Sequence, residues 1–167
     1  HEYTIGKDVD LKAEQKKALE APRLPSNIFL KMMYITADII YGRKPTLPKV
    51  KVIELLARYP YFAWENRAYD KVTHLYGTNK ATRVEETERL LHLIELGRRA
   101  QDNEQCHLVI IEDLMQQKGI KQGFLRGWLI PRLMTLQYYY FTRLLYWLKP
   151  AWSFSMNARF ESHALKE

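Results

Sequence analysis

The stretch from Thr82 to Lys118 has the residue spacing of one long amphipathic α-helix, and its apolar stripe includes two polar side chains. At about 100° per residue, one face of this helix collects Leu90, Leu93, Gly97, Ala100, Glu104, His107, Ile111 and Leu114. A buried carboxylate without a partner is costly, so we expect Glu104 to lie beside a cation or a metal ion. The alternative is that Glu104 and His107 lie at the edge of this face and meet water.

The rest of the chain also has helical spacing. Further helices are expected at about 10–20, 27–41 with Ser26 as N-cap, 48–76, 122–148, and from Pro150 onwards. No segment shows the period-two alternation of a strand, so the predicted fold class is all-α. The length suits one domain, with residues 1–47 as an N-terminal arm of short helices and residues 48–167 as a helical bundle.

Two prolines fall inside the predicted helices. Proline removes a backbone donor and clashes with the preceding turn. We therefore expect a kink at Pro60 in the second-longest predicted helix. We also expect a break near Pro131 in the helix that follows residue 122.

Single carboxylates on two other helical segments extend the site suggested by Glu104 and His107. Glu54 lies in the segment 48–76, and Glu161 lies in the segment that begins at Pro150. Di-iron carboxylate bundles take one Glu from each of two helices and one Glu-x-x-His from each of two more. This chain supplies both single carboxylates and one Glu-x-x-His pair, so the predicted metal ligands are Glu54, Glu104, His107 and Glu161.

Other polar residues fit this site less well. Glu88 and Glu95 are far round the helix from Glu104, and His92 is four turns from His107. Glu65 competes with Glu54, since it lies three turns later at nearly the same angle. The remaining candidates, Cys106 and His163, point away from the ligand face. The single cysteine also excludes an internal disulfide.

The net charge of +7 is concentrated in one aromatic segment. Residues 114–160 contain no Asp or Glu, but they hold seven basic groups: Lys118, Lys121, Arg126, Arg132, Arg143, Lys149 and Arg159. Apolar surface, aromatic rings and unbalanced cations suit an anionic membrane interface. The predicted membrane surface comprises Arg132, Leu136, Tyr140, Arg143 and Trp147. The arginines leave no uncharged run of the roughly 20 residues that a spanning helix needs.

Two other interpretations of this segment stay open. It can be a buried helix whose arginine side chains reach out to water. It can also bind single-stranded nucleic acid through its basic and aromatic groups. The high Leu and Ile content disfavours nucleic acid, so the predicted partner is membrane lipid.

Three segments resemble the quinol-oxidising di-iron proteins of the alternative oxidase and plastid terminal oxidase family. KVKVIELLARYPYFAW resembles the family segment with its first Glu, here Glu54. DNEQCHLVIIEDL resembles the segment with its Glu-x-x-His, here Glu104 and His107. FESHALKE resembles the segment with its third Glu, here Glu161, in the form that this segment has in the plastid-type proteins. The three segments occur in family order and span most of residues 48–167.

The resemblance implies a ferritin-like di-iron bundle that lies on one leaflet of an organellar membrane, the mitochondrial inner membrane or the thylakoid. Its expected cofactor is a pair of iron ions, its substrates are ubiquinol or plastoquinol and O2, and its expected assembly is a homodimer. Asn103 would support the ligand Glu104 rather than bind metal, and the basic aromatic segment would form the surface through which quinol arrives. Carboxylate and imidazole ligands suit iron.

The family has a second Glu-x-x-His, which we expect beyond Glu167, so that this sequence would be a fragment of a longer oxidase. The interval from Glu54 to Glu104 is also longer than in the plastid form, which indicates a divergent branch. The alternative is a relative without the last ligand helix, acting as a structural subunit of a larger membrane complex. Such a subunit would be catalytically inactive, and its ligands could not hold two irons unless another chain supplied the rest.

Overall fold

The computed structural model describes residues 10–20, 24–77 and 83–164. These residues form six α-helices: α1 Leu11–Glu20, α2 Ile28–Tyr41, α3 Leu47–Tyr76, α4 Arg83–Gln117, α5 Ile130–Leu148 and α6 Pro150–Ala164. A π-helical turn, Leu125–Leu129, leads into α5. The described ranges contain no strand, which confirms the all-α prediction.

The helix ends follow from local sequence. Asn27, and not Ser26, caps α2: its side-chain oxygen accepts a hydrogen bond from the Leu30 backbone N–H at 2.8 Å. The Ser26 prediction was wrong because the helix starts one residue later than that cap requires, which gives Asn27 the N-cap position. Gly42 follows α2 with φ 92° and Gly119 follows α4 with φ 64°, conformations that glycine adopts without a side-chain clash.

The two helix-interior prolines have different consequences. α3 continues as one helix through Pro60, which is buried among its neighbours. Near Pro131 the backbone instead widens, since the N–H of Ile130 bonds to the carbonyl of Leu125, five residues earlier. Proline cannot donate to the preceding turn, and a π-helical turn is one way in which a helix accommodates such a defect.

α3 and α4 form an antiparallel pair with a regular set of polar contacts. The three pairs are Lys51 with Glu112, Arg58 with Gln105, and Glu65 with Arg98. From one pair to the next, the α3 residue number rises by seven and the α4 residue number falls by seven. A seven-residue repeat keeps the same faces of two helices in contact over many turns, as in coiled coils.

α3 is also the centre of the remaining packing, since it contacts α2, α4, α5 and α6. One core cluster joins residues of α2, α3, α5 and α6, among them Leu30, Ile53, Leu56, Tyr138 and Phe160. A second cluster joins the far halves of α3 and α4 and includes Ala68, Leu75, Leu90 and Ile94. Because α2 shares the first core, residues 28–41 pack as part of the bundle. The domain boundary at residue 47 stays a prediction.

Replacing Gly97 tests the close approach of α3 and α4. A Cβ at this position would lie 3.3 Å from the Tyr61 carbonyl oxygen, an atom fixed by the helix backbone. We expect Gly97→Val to lower the free energy of unfolding by about 1–3 kcal/mol, the usual cost of overpacking. Chemical denaturation measures this change in the free energy of unfolding.

The matched control is Gly123→Val, because no atom lies within 4 Å of a Cβ there. We expect that variant to change stability by less than about 0.5 kcal/mol. Equal losses at the two glycines would contradict the close helix approach.

Candidate metal centre

Three of the predicted ligands converge where α3 meets α4. Glu54, Glu104 and His107 each offer one ligand atom, and these atoms lie within 4.8 Å of one another. His107 Nδ1 is 3.0 Å from Glu54 Oε2 and 3.6 Å from Glu104 Oε2. Two carboxylates and one imidazole form a donor set that suits Fe²⁺, Mn²⁺ or Zn²⁺.

Burial differs sharply across these three side chains. Glu104 is 8% exposed, whereas the His107 side chain is 46% exposed and the Glu54 side chain is 24% exposed. The expectation that both members of the Glu-x-x-His pair point into the interior therefore holds for Glu104 alone. His107 is one turn further along α4, at the rim, and it leaves the site open to solvent on that side.

Glu161, the fourth predicted ligand, lies next to this group but outside it. Its Oε1 accepts a hydrogen bond of 3.4 Å from the Tyr61 hydroxyl. It still acts electrostatically, because its negative charge contributes to the raised pKa of Glu104. The structure thus brings Glu54, Glu104 and His107 into one cluster and places Glu161 beside them, on α6.

Burial and mutual repulsion favour the protonated forms of two of these carboxyls. Burial, and then the neighbouring Glu54 and Glu161, raise the pKa of Glu104 to about 8. Burial and the Glu54 charge raise the pKa of Glu161 to about 7. Carboxyls that hold protons at neutral pH without metal can exchange them for a cation, since metal ligands must be deprotonated.

Asparagines contact both of these carboxylates. Asn103 hydrogen-bonds the Glu104 side chain and Asn157 hydrogen-bonds the Glu161 side chain, and each contact lowers the pKa of its partner. Sequence reasoning missed Asn157 and Tyr61. Asn157 precedes Glu161 by four residues on α6, so it shares the same helix face, which is a signal that the sequence contained.

Glu65, the competitor of Glu54, takes no part in the cluster. Its carboxylate accepts hydrogen bonds from Arg98 at 3.1 Å and from Gln101. Glu95 pairs with Arg99 on the exposed side of α4. The exposed pair of Glu95 agrees with its predicted position, far round the helix from Glu104. The contacts of Glu65 with Arg98 and Gln101 exclude it as a ligand of the cluster.

α5 presents much of the predicted membrane surface to solvent. Leu136, Tyr140 and Trp147 are 39%, 63% and 63% exposed. α2 adds an exposed apolar row that comprises Ile28, Met32, Ile35 and Ile39. The outer face of α5 is therefore open in the described part of the chain, unlike the buried helix of the alternative interpretation.

The two arginines of that surface have different surroundings. Arg132 is exposed and its guanidinium lies 5.5 Å from the centre of the Trp128 ring. Arg143 instead bonds to Asp70 at 2.6 Å and to the Tyr139 hydroxyl at 2.8 Å. Because Arg143 already pairs with Asp70, which also contacts Arg67, it is less suited to a lipid headgroup than the sequence indicated.

Within the described residues, no helix combines the length and the apolar character needed to cross a bilayer. Comparison with protein families, curated proteins and solved structures found no match. The resemblance to alternative oxidases therefore rests on the three sequence segments and stays a prediction. The cluster of Glu54, Glu104 and His107 is a separate, geometric observation.

Metal-free protein should lose stability as pH rises from about 5 to about 8. Over this range the carboxyl of unfolded Glu104 is ionised while the folded one keeps its proton, so the folded state binds more protons and its stability falls with pH. We expect Glu104→Gln to match the parent protein near pH 4, below the unfolded pKa, and to be more stable near pH 8 by about 1–3 kcal/mol. Denaturation in the presence of a chelator measures both.

Glu88→Gln is the control, because Glu88 is exposed on the same helix. It should leave the pH dependence of stability unchanged. A Glu104→Gln variant that is no more stable than the parent at pH 8 would contradict the buried, protonated carboxyl.

Proposed function

We propose that this chain contributes a metal-binding half-site to a di-iron quinol oxidase that reduces O2 to water. The observation that supports this most directly is the convergence of Glu54 with Glu104 and His107 from two helices. Chain segments that resemble the oxidase family supply these same residues. The site would hold iron between α3 and α4, with Glu161 as an adjacent carboxylate.

The donor set present fits one ion better than two. Glu54, Glu104 and His107 can share one cation, and Glu161, whose charge acts on Glu104, would add a third carboxylate as the fourth ligand after a side-chain movement. A second ion needs further ligands, from residues outside the described ranges or from another chain. A completed iron pair would take electrons from quinol and deliver them to O2.

The surrounding residues would orient the ligands and handle protons. The Asn103 side chain orients the Glu104 carboxylate, and Tyr61 with Asn157 holds Glu161. Burial and the Glu161 charge raise the pKa of Tyr61 to about 12, so its hydroxyl stays protonated and acts as a donor. His107 borders the open side, where further ligands or substrate can approach.

The same proposal places the protein on one leaflet of an organellar membrane, the mitochondrial inner membrane or the thylakoid, with quinol arriving from the lipid. The exposed apolar rows on α2 and α5 support this placement. Nucleic acid is a poorer partner for this surface, because Arg143 is already paired with Asp70. A homodimer, or assembly into a larger membrane complex, would supply neighbouring protein.

A structural subunit without redox activity is the second candidate. The half-exposed His107 and the three-residue cluster favour it, since neither describes a complete di-iron site. In that case the buried carboxyls would remain protonated and would serve packing. Metal binding by the isolated chain separates the two candidates.

Iron titration tests the ligand count. We expect the 167-residue polypeptide to bind about one Fe²⁺ per chain under anaerobic conditions, because its clustered ligands suit one ion. In a separate aerobic assay, we expect no quinol-dependent O2 uptake. Glu54→Gln should weaken binding by about tenfold or more, and Glu88→Gln should leave it unchanged. Calorimetry and iron analysis measure both.

Two irons per chain with turnover would show that the site has ligands beyond those identified. Absence of any specific binding would refute the metal centre and favour the structural subunit.

Flotation with liposomes tests the membrane surface. We expect Leu136→Ser, Tyr140→Ser and Trp147→Ser combined to abolish most of the association with anionic liposomes, because they remove exposed apolar area that would enter the interface. The control combines Leu91→Ser, Val109→Ser and Ile110→Ser, which are equally exposed but lie on α4. Equal loss in both variants would contradict a specific α5 surface.

A further inference from the structure

A cavity lies where α3, α4, α5 and α6 come together, away from the metal cluster. Its volume is about 330 Å³, and its walls include Lys71, Arg89, Leu93, Tyr146 and Phe154. Lys71 follows Glu54 by 17 residues on α3, which places it about 25 Å from the cluster at the helical rise per residue. The cavity is therefore separate from the proposed site of quinol oxidation.

The walls of this cavity have an excess of positive charge. The charged residues of its lining are Lys71, Arg89 and one acidic residue, Glu86, all three exposed, and His92 lines it as well. None of the three forms an ion pair with another described residue of the chain, in contrast to Arg98, Arg99 and Arg143. A net charge of about one suits a monoanion better than a phosphate group with two charges.

Tyr146 provides a polar group inside the cavity. The residue is only 4% exposed, and its ring packs edge-on against Phe154 at 5.7 Å and under the Lys71 ammonium at 5.5 Å. Its hydroxyl has no hydrogen-bond partner among the described residues and is open to the cavity rather than sealed in the core. A ligand in the cavity can supply that partner.

We propose that this cavity binds a medium-chain fatty acid, a monoanionic amphiphile with a carboxylate head and an apolar body. The carboxylate would accept hydrogen bonds from Arg89, Lys71 and the Tyr146 hydroxyl, and charge-assisted bonds of this kind are the stronger ones. The alkyl chain would pack against Leu93 and Phe154. The volume is near the lower limit of ligand pockets, which suits a chain of about ten carbons.

Photolabelling tests the proposal. The probe is decanoate with a diazirine at the end of its chain, applied to the 167-residue protein in nonionic detergent, with labelled peptides identified by mass spectrometry. We expect labels on the peptides that contain Leu93 and Phe154. Unlabelled decanoate should displace the probe, whereas decanol at the same concentration should not, because it lacks the charge.

Matched variants test whether the Arg89 charge and the Tyr146 hydroxyl contribute to binding. Arg89→Gln should lower labelling about fivefold and Tyr146→Phe about threefold, in line with the usual strength of such hydrogen bonds. Arg83→Gln removes the same charge at the exposed start of α4 and should have no effect. Circular dichroism and the melting temperature check that each variant is folded.

Three results would overturn the proposal. Labelling confined to the outer faces of α2 and α5 would mean that the probe binds only the exposed apolar surface. Equal displacement by decanol and decanoate would remove the role of the carboxylate. Equal labelling of Arg89→Gln and Arg83→Gln would remove the role of the cavity cations. None of these results depends on iron or quinol, so they leave the metal centre untouched.

Discussion

The antiparallel contact between α3 and α4 is the constraint on which the rest of this structure depends. Gly97 lets the two helices approach closely, and the polar pairs at seven-residue steps fix their register. In that register Glu54 on one helix lies opposite Glu104 and His107 on the other. A register shift of one turn would separate them by about 5 Å, beyond the reach of a single cation.

The carboxyl cluster has a cost that the packing around it offsets. Glu104 is buried beside two other carboxyls, and such groups neutralise by taking up protons when no cation is present. The apolar clusters on either side of the site hold the helices in place despite this repulsion. A site that is unfavourable without metal supports the proposal that these residues bind a cation.

The surface of the bundle is divided between different kinds of contact. α2 and α5 expose apolar rows, whereas the exposed side of α4 contains ion pairs such as that of Glu95 with Arg99. The basic residues are not equivalent either. Arg143 pairs with Asp70, while Arg89 and Lys71 border a cavity and have no ion-pair partner in the described ranges. Net charge alone predicted an interaction surface, whereas the structure separates the cations that pair within the described chain from those that do not.

Helix positions and the polar residues within the apolar stripe of α4 followed from the sequence alone, because helical periodicity and Gly or Pro boundaries are local properties. That information predicted both ends of α3 and α4 within one residue and the start of α6, and it singled out Glu104. The tertiary structure decided the rest. It placed His107 at the rim, paired Glu65 with Arg98 instead of with the cluster, and joined Tyr61 to Glu161. These outcomes depend on the register and rotation of helices distant in sequence, which periodicity within one helix does not determine.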